Sequence, residues 1–97
     1  MIYEHAYITV DPASRTEFED AFTSARHLLL DANGGNTAEL TRSVDQPGVY
    51  LLRVGWNPAS DHTEDFASSA NGEQFAAAVA HFFTTPPQVV HFESSAL

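Results

Sequence analysis

Apolar and polar residues alternate from the start of the chain and predict a β-strand over Ile2–Val10, with His5 and the tyrosines on one face. After Asp11 the apolar residues recur at every third or fourth position, which predicts a helix over Pro12–Ala32. Asp11 is suited to cap this helix, and the Asn-Gly-Gly run that follows is suited to end it.

Two further strands follow the first helix. Asn36–Val44 is polar and rich in threonine, which is typical of an edge strand, whereas Gly48–Trp56 is apolar on both faces in its first half and is typical of a central strand. Pro47 and the glycine after it predict a type II turn, so that the two strands form a hairpin. The even-numbered residues from Tyr50 to Trp56 share one face of the central strand.

The rest of the chain predicts a second helix in two parts, a last strand and a loose tail. In order, the segments are a helix start at Asn57 and Pro58, a break at Ser68–Gly72, a helix over Glu73–Phe83, a strand over Gln88–Glu93 and a tail over Ser94–Leu97. The element order β-α-β-β-α-β matches the ferredoxin-like arrangement of a four-stranded antiparallel sheet with both helices on one face.

A chain of 97 residues is expected to form a single domain, residues 1–97. The sheet face opposite the helices is predicted to carry Tyr3, Tyr7, Val49 and Leu51. Because an apolar patch of this size is unfavourable in water, we expect a second copy to cover it and to form a homodimer with two sheets face to face.

Charge and composition narrow the classes of partner. The formal net charge of −9 argues against nucleic acid and against an anionic membrane surface, since both attract positive charge. The chain has no cysteine, which excludes disulfides, thiolate metal sites and a cysteine nucleophile. The N-terminal residues do not form a signal peptide pattern, and no apolar run approaches the ~20 residues of a membrane span, so we expect a cytoplasmic protein.

Several short pieces of sequence occur in one order and spacing along nearly the whole chain. They are Tyr50-Leu51-Leu52-Arg53-Val54-Gly55-Trp56, His62-Thr63, Phe66, Ser69, Phe82-Phe83 and Pro86-Pro87-x-Val89-x-His91. In these pieces the chain resembles the antibiotic biosynthesis monooxygenase-like domains of the dimeric α/β barrel superfamily. The resemblance implies a homodimer with a pocket in each subunit between the sheet and its helices. Some members of the family oxygenate aromatic polyketides to quinones with O₂ and no cofactor, and others degrade haem.

The two branches of the family fit this chain differently. The haem-degrading branch uses an asparagine on the first strand, where this chain has His5 or Ala6. It also uses a tryptophan and a histidine, where this chain has Phe66 and Val79. None of the three matches, so haem degradation is disfavoured. The quinone-forming branch relies partly on an asparagine at the position of Leu52. The resemblance implies a cofactor-free monooxygenase acting on a small aromatic or quinol-type molecule. The alternative is a non-catalytic homodimer that binds a small ligand.

His62 is the candidate catalytic residue, because a histidine can take a phenolic proton near neutral pH. Its alternative role is a surface histidine bonded to the preceding turn. The candidate substrate-binding residues are rings near the predicted pocket: Trp56, Phe66, Tyr50, His91 and Phe82. The alternative for each is structural. Trp56 and the phenylalanines would be core residues, and the Tyr50 hydroxyl would bond a neighbour in the protein. His91 would face the dimer interface or be a structural histidine with its hydrogen bonds satisfied.

The chain is not expected to hold a metal or a nucleotide. Its five histidines contain no pair at the i, i+4 spacing of a helix and no His-x-His pair, so a metal site is disfavoured. Neither a Gly-rich phosphate-binding loop nor a GxGxxG motif is present. We therefore expect no metal and no cofactor.

Overall fold

Four antiparallel strands and two helices make up the part of the chain that the computed structural model describes, residues 2–31, 37–56, 69–93 and 97. They are β1 (Ile2–Thr9), α1 (Arg15–Asp31), β2 (Ala38–Arg42), β3 (Val49–Trp56), α2 (Ala70–Val79) and β4 (Gln88–Glu93). Short 3₁₀ turns at Pro12–Ser14 and Ala80–Phe82 precede α1 and follow α2. Within these ranges no helix is long and apolar enough to cross a membrane.

The sheet has the order β2-β3-β1-β4, and all three pairings are antiparallel. This is the ferredoxin-like α+β fold, as the element order predicts. The register pairs Tyr3 of β1 with Gly55 on one side and with Phe92 on the other. Because directly paired residues share a face, the register fixes which side chains of the three strands meet.

One face of the sheet forms the core with both helices. Its members are the alternating residues predicted from the sequence, packed against the apolar stripes of α1 and α2. They are Ala6, Ile8, Val10, Ala38, Tyr50, Leu52, Val54 and Trp56 from the strand side, and Phe18, Phe22, Leu29 and Val79 from the helices. No described helix covers the opposite face, where Tyr7 and Phe92 are 45% and 51% exposed.

The turn before β3 has the predicted type II geometry. The Val49 amide donates to the Gln46 carbonyl, which closes a four-residue turn with Pro47 and Gly48 at its centre. Gly48 has φ +86°, the left-handed value that this position requires. A Cβ atom at Gly48 would overlap the backbone oxygen of Val10, so glycine is needed here for space as well as for conformation.

Three predicted boundaries are wrong by a few residues. The helix predicted to run to Phe83 ends at Val79 and is followed by a 3₁₀ turn over Ala80–Phe82. The strand predicted over Asn36–Val44 is shorter, because the Ser43 hydroxyl accepts hydrogen bonds from the amides of Asp45 and Gln46 and turns the chain away from the sheet. The helix predicted over Pro12–Ala32 begins with a 3₁₀ turn, in which the Asp11 carboxylate accepts from the Ala13 amide.

The break predicted at Ser68–Gly72 is also wrong in part. Ser69 caps α2 by accepting from the Gly72 amide, so the helix starts at Ala70 and includes the glycine. The Asn71 side chain donates to the Leu28 carbonyl and ties this first turn to the end of α1. The predicted helix start at Asn57 and Pro58, and the tail before Leu97, lie outside the described residues.

Candidate functional site

A buried carboxylate and two nitrogen-bearing rings meet on the helix side of the sheet, near the end of β3. Trp56 is 2% exposed, and its indole nitrogen donates to Glu4 Oε1 over 3.0 Å. Glu4 comes from β1, where it pairs with Val54 on one side and with His91 on the other. The His91 Nε2 atom lies 4.0 Å from the same oxygen. We call Glu4, Trp56 and His91 the Glu4 cluster.

Burial sets the electrostatics of this cluster. The Glu4 side chain is 13% exposed, and this burial raises the pKa of its carboxyl above the usual value. The hydrogen bond from Trp56 and the charge of a protonated His91 act in the opposite direction and are smaller. A carboxylate with a raised pKa is a stronger base than one in water, and such groups occur often at functional sites.

Tyr50 and Phe82, two other predicted site residues, lie together elsewhere. Both contact the buried ring of Phe18, with ring centres 4.9 Å and 5.9 Å away. Trp56 lies six residues after Tyr50 along the strand, which corresponds to about 20 Å. A small aromatic molecule does not span this distance, so the structure brings Trp56 and His91 together but places Tyr50 and Phe82 in a separate cluster.

The Tyr50 hydroxyl has a structural partner. It donates to Glu19 Oε2 over 2.6 Å, while the Arg42 guanidinium donates to both oxygens of the same carboxylate over 2.8 Å and 2.6 Å. Arg42 first, and then Tyr50, lower the pKa of Glu19 to about 2. Burial, with the carboxylate beside it, raises the pKa of Tyr50 to about 12. Tyr50 is therefore protonated and bonded at neutral pH.

These paired groups line a groove of about 620 Å³ between α1 and β2. The two arginines that line the groove are bonded within the protein. Arg42 donates to the Glu19 carboxylate, and the Nε atom of Arg26 donates to the Ala38 carbonyl over 2.6 Å. The groove lies at the Tyr50 end of β3, so it is separate from the Glu4 cluster.

Comparison with known proteins identifies the family. A model of the antibiotic biosynthesis monooxygenase family matches residues 1–81 of the chain. The chain belongs to this family. It is 33% identical over 93 residues to the uncharacterised protein YczJ of Bacillus subtilis, which covers 96% of this chain and 98% of the relative.

Solved structures of antibiotic biosynthesis monooxygenase proteins have the same fold. A Bordetella bronchiseptica protein named as such a monooxygenase is 35% identical, with a TM-score of 0.89 over 98% of this chain and 97% of its own. SnoaB from Streptomyces nogalater, named as a cofactor-independent oxygenase, is 20% identical, with a TM-score of 0.69 over 99% of this chain and 94% of its own. The similarity to SnoaB concerns the fold alone.

The structure does not describe the other two candidate site residues, the catalytic candidate His62 and the substrate-binding candidate Phe66. His62 and Phe66 lie outside the described residues, in the segment 57–68 that follows Trp56 directly in sequence. Among the residues that are described, no three histidine, aspartate or glutamate side chains are grouped so that they could hold a metal ion.

Sequence reasoning missed Glu4. A signal for it was present, since Glu4 is the one charged residue on the otherwise apolar face of the first strand. Its partners come from the two strands that flank β1, and their register is not visible in the sequence.

Removing the Tyr50 hydroxyl tests its structural role. We expect Tyr50→Phe to lower the free energy of unfolding at pH 7 by about 1.5–3 kcal/mol, because the hydrogen bond that it deletes has a charged acceptor. The lowered pKa of Glu19 means that its carboxylate stabilises the fold above pH 4.5 and loses this effect as the pH falls towards 2. Urea denaturation measures the free energy of unfolding of the wild type and of Tyr50→Phe at pH 7 and at pH 3. The difference between the two proteins should be smaller at pH 3.

The control for this measurement is Ser24→Ala, which removes an exposed hydroxyl of α1, away from the open face of the sheet. It should change the free energy of unfolding by less than about 0.5 kcal/mol. Equal effects of the two substitutions would show that the bond between Tyr50 and Glu19 contributes nothing specific.

Proposed function

We propose that the protein is a cofactor-independent monooxygenase that oxygenates a small aromatic or quinol-type molecule with O₂ next to the Glu4 cluster. The observation that carries the proposal is the convergence of Trp56 and His91 on one buried carboxylate, on the side of the sheet that faces the helices. Membership of the antibiotic biosynthesis monooxygenase family supports the reaction type. The name of SnoaB, a cofactor-independent oxygenase with this fold, supports the absence of a cofactor.

The chemistry needs a base and an electron-rich ring. For an anthrone, the balanced reaction converts the anthrone and O₂ into an anthraquinone and water. A base removes a proton from the ring CH₂ group or its phenolic tautomer, and the resulting anion transfers an electron to O₂ directly. The radical pair forms a C–O bond, and loss of the second ring proton with cleavage of the O–O bond leaves the quinone and water. The protein supplies the base and a low-polarity site.

The candidate residues have separate roles in this scheme. The buried ring of Trp56 forms a wall of the site, and Phe66 is proposed as a second aromatic wall. His62 and the Glu4 cluster are the two candidate sources of the base. Tyr50 and Phe82 belong to the packing around Phe18 and are left out of the proposed site.

We also propose that the protein is a homodimer in which the open faces of two sheets pack together. Strand register gathers Tyr3, Tyr7, Leu51 and Phe92 on this face. The rings are already arranged side by side, with the Arg53 guanidinium 3.9 Å from the centre of the Tyr3 ring and His5 4.9 Å from Phe92. An aromatic face of this kind is typical of an interface.

A second candidate function is the binding of a small ligand without turnover. It is favoured by Leu52, a buried apolar residue at the position where the quinone-forming branch is expected to have an asparagine. A site without this amide has fewer groups to orient a phenol. Binding alone predicts a ligand-dependent rise in the melting temperature with no consumption of O₂.

The experiment that tests the proposed function measures O₂ uptake by the purified protein with a panel of anthrones and dihydroxynaphthalenes. We expect uptake with equimolar quinone formation for at least one substrate. The double variant Glu4→Gln/His62→Ala should lose it, because this variant has neither candidate base. His27→Ala, which removes an exposed histidine of α1, is the control and should retain full uptake. Melting shifts without uptake would favour the binding protein.

A further inference from the structure

We infer that Glu4 is the catalytic base: its carboxylate takes the proton from the bound substrate, and His91 passes this proton to solvent. The inference rests on the proposed function, and it assigns to Glu4 the role that the sequence suggests for His62. Three observations carry it: the geometry of the carboxylate, the cost of its burial and the path from it to solvent.

The geometry leaves one oxygen of Glu4 for the substrate. The indole of Trp56 and the imidazole of His91 both approach Oε1. Within the described part of the chain, no polar atom lies at hydrogen-bond distance from Oε2. The bond from Trp56 holds the carboxylate through Oε1, so that Oε2 remains as the acceptor for the substrate proton.

Stability does not explain why a glutamate is buried here. The neighbours of Glu4 on its face of the sheet include the apolar Ala6 and Val54. At 4.0 Å His91 is at the outer limit of an ion pair, and Trp56 is a neutral donor. Two such partners compensate poorly for the loss of hydration of a carboxylate. A buried carboxyl with few partners and a raised pKa is typical of a residue that is used for proton transfer.

The path to solvent runs through His91. Its side chain is 43% exposed, whereas that of Glu4 is 13% exposed. When Glu4 accepts the substrate proton, the substrate keeps the electron pair of the broken bond and becomes an anion that O₂ can oxidise. Because 4.0 Å is beyond direct hydrogen-bond distance, the proton passes from the Glu4 carboxylic acid to His91 through a solvent water, and His91 releases it to bulk water, which restores the carboxylate for the next turnover.

Hydrogen exchange tests the proton transfer separately from the reaction with O₂. Anthrone is incubated with the protein in D₂O without O₂, and the loss of its ring CH₂ signal is followed by proton NMR against the buffer rate. We expect the wild type to accelerate exchange and Glu4→Gln to reduce the enzymatic part at least a hundredfold. The control Glu93→Gln changes an exposed glutamate of β4 and should exchange at the wild-type rate.

The variants separate the possible failures. If His62→Ala abolishes exchange while Glu4→Gln retains it, the base is His62 and the inference is overturned, while the proposed function stands. If the wild type exchanges but takes up no O₂, the assignment of Glu4 stands and the proposed oxygenation fails. If the wild type does not accelerate exchange at all, the inference is overturned.

A readout independent of the substrate is available in the fluorescence of Trp56, the single tryptophan of the chain. Its indole is bonded to Glu4, so protonation of the carboxyl should change the emission in a pH titration, with a midpoint above 4.5. His91 is the other titrating group of the described residues that faces Glu4. Glu4→Gln should remove the acidic transition and keep the fold. A transition that survives this substitution unchanged would overturn the inference.

Discussion

Phe18→Ala should lower the free energy of unfolding by about 3–5 kcal/mol, the largest loss that we expect from a single truncation in this core. Phe18 is 1% exposed and lies at the centre of an aromatic group, with ring centres 4.9–6.3 Å from those of Tyr50, Phe82 and Phe83. Alanine would leave a cavity between α1, β3 and the turn after α2. The surrounding rings are held by other contacts and cannot fill it.

Urea denaturation at a fixed protein concentration measures this loss, because the stability of a dimer depends on concentration. Val44→Ala is the control: Val44 is 97% exposed in the turn before β3 and should change the free energy of unfolding by less than about 0.5 kcal/mol. A loss below about 1 kcal/mol for Phe18→Ala would contradict the role of this ring as the centre of the core.

Leu51→Asp should convert the proposed dimer into a monomer with its fold intact. Leu51 is half-buried on the open face, directly opposite Tyr7 in the register of β1 and β3. In a two-fold symmetric dimer each subunit carries the substitution, so the interface of the variant would bury two carboxylates without partners. Because burying a carboxylate without a partner costs several kcal/mol, the dissociation constant of the dimer should rise at least about a hundredfold.

Light scattering at micromolar concentration measures the mass of wild type and variant, and far-UV circular dichroism checks that the fold is retained. Val44→Asp is the matched control, because it adds the same charge to an exposed valine outside the open face. A wild-type monomer, or a Leu51→Asp protein with the mass of a dimer, would contradict the proposed face-to-face packing.

Alternation and turn chemistry allowed most of the fold to be predicted. The period of two in β1 and β3 identifies the buried side chains because each strand has one face against the helices. The turn at Pro47 and Gly48 is predictable because proline favours its first central position and glycine adopts the positive φ of the second without strain. The start of α2 was missed because one serine cap outweighs the low helix propensity of Gly72, and the cap depends on local geometry.

The site was harder to predict, because it depends on register between strands that are distant in sequence. Glu4 meets His91 only through the pairing of β1 with β4, so a chain read in one dimension contains no sign of their contact. The separation of Tyr50 from Trp56, in contrast, follows from the rise per residue of a strand and was predictable. The contact between Tyr50 and Glu19 was not, since it requires the packing of α1 on β3.

The most direct test of the account uses ¹⁸O₂ with the anthrone that gives the fastest uptake, followed by mass spectrometry of the quinone. A cofactor-independent monooxygenase transfers one oxygen atom from O₂ to carbon and releases the other in water. We therefore predict one labelled oxygen per quinone molecule, at a rate that depends on the wild-type protein and is lost in Glu4→Gln. Quinone with unlabelled oxygen, or labelled quinone formed equally fast without the protein, would contradict the proposed function.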